Sequence, residues 1–113
     1  MQQAEYVPVG RVDELPPGTR RLVTVGSHAV LLVNLDGALY AIPNACPHRQ
    51  WPLSQADLRD NVLKCARHGW EFDVPSGRAV YPPFGYRLHD LPLQVVDGWI
   101  QVAWTEPGVE PAH

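Results

Sequence analysis

Cys46-Pro47-His48 and, sixteen residues further on, Cys65-Ala66-Arg67-His68 each set a thiol beside an imidazole. Together they use both cysteines of the chain and two of its five histidines. Thiolate and imidazole are metal donors, so two such pairs on two loops make a Cys2His2 set. Two chemistries take that set. One is a structural zinc ion in tetrahedral coordination. The other is a two-iron cluster in which imidazoles replace thiolates on one of the irons. Zinc fingers usually bring two cysteines together and two histidines together. Here each local pair is mixed, which favours the cluster.

The pattern C-P-H, sixteen residues, C-x-x-H-G-W resembles the Rieske ferredoxin family, and the resemblance runs from Cys46 to about Pro83. It implies one [2Fe–2S] cluster per chain, with Cys46 and Cys65 on one iron and His48 and His68 on the other. With two thiolates and two neutral imidazoles such a centre is neutral when oxidised and singly negative when reduced. A four-thiolate cluster must go from minus two to minus three, so an electron is harder to add. Rieske centres accordingly work at roughly −150 to +300 mV, against about −400 mV for plant-type ferredoxins.

The resemblance also implies a function. The chain is expected to be a one-electron carrier of the kind serving ring-hydroxylating dioxygenases, between a flavin-containing NAD(P)H reductase and a terminal oxygenase. No catalytic residue is expected, because the cluster has no open position for a substrate. One alternative keeps the cluster but makes the chain a fixed relay, similar to the small subunit of nitrite reductase bound to its large subunit. Another is a zinc-held interaction module without redox chemistry, which metal content would distinguish.

Length and composition agree with a carrier. The chain has 113 residues, 45% of them hydrophobic, which is enough for a single domain over 1–113 with one modest core. Only 45 residues follow His68, too few for the mononuclear-iron domain of the catalytic oxygenase subunits. His28, His89 and His113 have no motif around them and read as surface or polar-core residues. The start of the chain carries no basic and apolar leader, and no apolar run suits a membrane helix. There is no cysteine pair to spare for the disulfide of respiratory Rieske subunits. A cytoplasmic protein away from the membrane is the expectation. A net charge of −3 disfavours nucleic acid as a partner.

The elements that must hold these loops read as all-β. Nine Gly and twelve Pro cut the chain into short pieces. Strands are expected at 21–25, 28–34, 39–42, 62–64, 70–74, 78–81, 93–96 and 99–104, with hairpin turns at Asp36-Gly37 and Asp97-Gly98. Short turns are expected at Val12 to Leu15 and around Ser54 to Leu58, and the tail from about 106 should fray. This is the pattern of small antiparallel sheets that the Rieske fold implies. Residues 43–54 and 65–70 would be its two cluster-binding loops. The run Tyr81 to Tyr86, with Pro83 and Phe84, resembles the proline loop that covers the cluster, and proline's fixed φ suits a stationary wall.

Trp51, Trp70 and Phe84 are candidates for an apolar docking rim around the outward histidine edges. Residues 46–87 carry six Arg/Lys against four Asp/Glu, and the remainder three against eight, so a mildly basic cluster end would sit on an acidic body. Such a charge distribution orients a partner on approach. Many family members have Gly two residues after the first histidine. Gln50 stands there, so the local loop shape should differ, while Trp51 and Leu53 remain family-like. High-potential members share a Ser just after the Gly of the second motif and a Tyr two residues on, whose hydroxyls bond cluster sulfurs. Trp70 and Phe72 take those places and offer no hydroxyl. The expected reduction potential is therefore at the low end of the Rieske range, to be read from a redox titration followed by electron paramagnetic resonance.

Overall fold

In the computed structural model the described residues are 5–47, 52–65, 69–83 and 85–106. They form ten strands and two short 3-10 turns. The strands are β1 Tyr6–Arg11, β2 Arg20–Val25, β3 His28–Leu35, β4 Ala38–Pro43, β5 Asp57–Arg59, β6 Val62–Lys64, β7 Glu71–Asp73, β8 Ala79–Tyr81, β9 Leu93–Val96 and β10 Trp99–Ala103. The turns are Val12–Glu14 and Leu53–Gln55. Three antiparallel sheets result, in the orders β1-β10-β9, β2-β3-β4 and β5-β6-β7-β8. No helix among the described residues is long and apolar enough to cross a membrane.

The middle sheet organises the rest. Strand β3 reads His-Ala-Val-Leu-Leu-Val-Asn-Leu, and every residue from Val30 to Leu35 is buried. Side chains alternate between faces along a strand, so a continuous apolar run means cover on both sides. On one face Val30 and Leu32 join Ala41, Val25, Leu91, Ile100 and Val102 in a core shared with the β1-β10-β9 sheet. On the other face Leu31, Val33 and Leu35 join Ile42, Leu53, Leu63, Phe72 and both cysteines. Each fully buried Val or Leu contributes about 1.5–3 kcal/mol. The sheet is a wall between two cores.

Asn34 is the buried polar side chain in this wall, at 4% exposure. Its Nδ2 donates to Leu15 O at 2.7 Å, and its Oδ1 accepts from Gly37 N–H at the same distance. One carboxamide thus ties the chain before β2 to the β3–β4 turn. At the two sharp hairpins Asp36 and Asp97 have φ of 56° and 52°, the left-handed geometry that Asp-Gly turns supply.

Two segments differ from the sequence expectation. Strand β1 was hidden by Pro8 and Gly10. It lies at a sheet edge and its register shifts between those two residues, the places where a strand tolerates Pro. The helical turn expected around Ser54 to Leu58 ends at Gln55, and Asp57–Arg59 pairs with β6 instead. Exposed Asp57 and Arg59 flank half-buried Leu58, a period of two leading into the Asp60-Asn61 turn. The tail beyond Glu106 lies outside the described residues.

Leu22 and Leu31 are cross-strand partners on one face of the wall, 51% and 1% exposed. Leu31→Ala should cost about 2–5 kcal/mol in denaturant unfolding, whereas Leu22→Ala should stay within about 0.5 kcal/mol.

Candidate metal centre

Both sequence-predicted loops occur where expected. The first leaves β4 and returns through the Leu53–Gln55 turn to β5, and the second joins β6 to β7. Cys46 stands three residues past the end of β4, and Cys65 directly follows Lys64 at the end of β6. Both are thiols. Cys46 is 0% exposed and Cys65 1%, and they belong to one apolar cluster. Two loops from different sheets therefore each contribute a buried cysteine to the same apolar core. His48, Trp51, His68 and Phe84 lie outside the described residues.

The second loop has a defined frame. Cys65 N–H donates to Trp70 O at 2.7 Å, and Gly69 N–H donates to Cys65 O at 3.0 Å. Gly69 has φ +74°, in the left-handed region that other residues adopt at a cost. A Cβ there would meet its nearest neighbour, Lys64 Cε, at an unstrained 3.9 Å, so backbone conformation rather than space selects glycine.

Beneath the sulfurs the floor is apolar. Phe72, Leu53 and Leu63 are all 0% exposed. Phe72 is thus core, and it stands in the place where a hydroxyl would be available in high-potential family members. Half-buried Trp70 lies near Phe72, with ring centroids 6.1 Å apart and nearly parallel. Tyr86 meets it edge-on at 5.1 Å. Gly85, the residue before Tyr86, has φ +94°, in the left-handed region that favours glycine. The proline loop after β8, with exposed Pro83, hence returns against the second loop through an aromatic contact. Tyr81 and Tyr86 are 64% and 43% exposed. These two tyrosines were not singled out from sequence, where the rim was drawn from Trp51, Trp70 and Phe84.

The donor chemistry fits an iron–sulfur group. Two cysteines in an apolar core, each followed within two or three residues by a histidine, offer sulfur and nitrogen ligands. Asp90 lines a cavity with Ile42, Val74 and Arg87. Burial raises its pKa, partly offset by His89.

The chain matches the Rieske [2Fe-2S] domain family over residues 5–92. It is 38% identical over 104 residues to the ferredoxin component of the alkene monooxygenase system of Xanthobacter autotrophicus, covering 91% of this chain and 84% of that protein. The solved ferredoxin of carbazole 1,9a-dioxygenase from Nocardioides aromaticivorans superposes with a TM-score of 0.77 at 27% identity, over 87% of this chain and 96% of that one. A chain in the complex of reduced oxygenase and oxidised ferredoxin of carbazole 1,9a-dioxygenase matches at a TM-score of 0.78 and 28% identity, over 87% and 92%.

Gly69→Ala should cost about 1–2 kcal/mol, the penalty of placing a Cβ in the left-handed region. Denaturant midpoints of the two proteins check it.

Proposed function

The chain belongs to the Rieske [2Fe-2S] family, and from that premise we propose that it carries single electrons from a flavin-containing reductase to a terminal oxygenase. The observation that carries this reading is the meeting of two buried thiols from two loops in one apolar core, within a fold shared with ferredoxins of oxygenase systems. One [2Fe–2S] cluster per chain supplies one reversible electron. The chain itself is a carrier and not a catalyst.

Cys46 and Cys65 would hold the cluster from the buried side, and His48 and His68 would complete the set. Leu53, Leu63 and Phe72 exclude water from the sulfur side, which strengthens electrostatic interactions there. Trp70, in contact with Phe72 and Tyr86, would close one flank. A wall that does not rearrange keeps the structural cost of an electron's arrival small.

For partner choice, the relatives support a carrier over a fixed relay in a nitrite reductase, because those quoted are ferredoxins of oxygenase systems. A surplus of two positive charges in 46–87, against five negative in the remainder, supports docking of the cluster end onto an acidic partner face. Exposed Tyr81 and Tyr86 add the amphipathic aromatic area that interface centres favour.

Iron and sulfide analysis, with electron paramagnetic resonance before and after dithionite, tests the reading. The oxidised protein should be silent, and the reduced protein should give a rhombic signal of lower average g than an all-cysteine cluster. Zinc without sulfide, and no signal, would overturn it.

A further inference from the structure

The two loops that bear the proposed ligands are closed by different means. Loop 65–70 is short and closed by its own backbone, through the Cys65–Trp70 and Gly69–Cys65 hydrogen bonds. The first loop, from Asn44 to Ser54, is longer, eleven residues. Among the described residues no backbone–backbone hydrogen bond joins its two ends. A side chain does join them: Asn44 Oδ1 accepts from Ser54 N–H at 2.7 Å.

Both ends of that bond are prepared for it. Asn44 is itself fixed, because its backbone N–H donates to Ala29 O of β3 at 3.0 Å. The carboxamide therefore projects from a point anchored to the central wall. Ser54 is the second residue of the Leu53–Gln55 turn, whose early N–H groups have no partner within the turn. Leu53, its neighbour, is fully buried in the core that contains both cysteines. The bond thus registers the outgoing strand, two residues before Cys46, against the returning turn.

We propose that Asn44 is a positioning residue for the metal centre: its carboxamide ties the two ends of the first loop together and so sets where Cys46 stands relative to the second loop. This rests on the ligand assignment proposed above. Asn44 touches no reacting atom in this role. Its action is through Ser54, and only an acceptor of its length can perform it. Asp keeps that acceptor, whereas Ala removes it.

The test compares the holoprotein with Asn44→Ala and Asn44→Asp. Iron and sulfide are measured first in the parent, so that failure of the cluster assignment is seen on its own. Iron release to a ferrous chelator and the line width of the reduced resonance signal are then followed. The Ala variant should release iron about two- to tenfold faster, the range expected for one net hydrogen bond, and should give a broadened signal. The Asp variant should release iron at the parental rate. An Ala variant with parental release and line width overturns the proposal, as does an Asp variant that behaves like Ala. If Asn44→Ala does not fold, hydrogen exchange of the Ser54 amide in the parent decides. Slow exchange supports the tie, and exchange at the rate of an open amide overturns it.

Discussion

The central constraint on this molecule is that β3 is buried on both faces. An ordinary antiparallel sheet spends one face on water, and its strands alternate apolar and polar residues. Strand β3 cannot, because Val30 and Leu32 serve one core while Leu31, Val33 and Leu35 serve the other. The register then settles what each neighbour must do. Ala41 lies opposite Leu32 and faces the first core, while Ile42 lies opposite Leu31 and faces the second. A slip of one residue would exchange the two sets and empty both. The double-sided strand therefore fixes the exit of β4, and with it the point from which the first loop starts toward Cys46.

The same wall explains why the thiols can be buried at all. A cysteine side chain behaves as a small hydrophobe with a weak S–H donor, so Cys46 and Cys65 pack into the same apolar core as Leu31, Ile42 and Phe72 at little cost. The absence of a side-chain hydroxyl at Phe72 and Trp70 has an electronic corollary. Phe72 and Trp70 offer no hydroxyl to stabilise added negative charge, which favours a low potential.

Much of this was legible in the chain, for identifiable reasons. The two Cys/His pairs stand out because their chemistry depends on local spacing, which folding does not alter. The Asp36-Gly37 and Asp97-Gly98 hairpins were legible because turn geometry is set by the turn residues themselves. Strand β1 was not, since Pro8 is acceptable only at an edge, and being an edge is a property of the sheet and not of the segment. Strand β5 was misread as helical turn because three residues are too few to display a period, and its pairing with β6 decides the matter. Asn44 was invisible in a different way. An Asn two residues before a cysteine carries no signal until the chain brings Ser54, ten residues away, to its carboxamide. Tyr86 likewise gains meaning only from Trp70, sixteen residues earlier, whose ring it meets edge-on.

The contrast between the loops bears on how such a small protein can work as a carrier. A cofactor brings its own redox chemistry, and the protein's part is to hold, orient and shield it. Here the described ends of the second loop are joined by backbone bonds, which many sequences with a glycine at position 69 could make. The first loop depends on a side chain and on a turn seated by buried Leu53. Sequence change in the second loop is therefore free to alter flank and surface, as Trp70 and its contact with Tyr86 illustrate, without loosening the frame. Change in the first loop touches the frame itself. Two loops of equal ligand count are thus unequal in tolerance, because one is closed by the chain and the other by a residue.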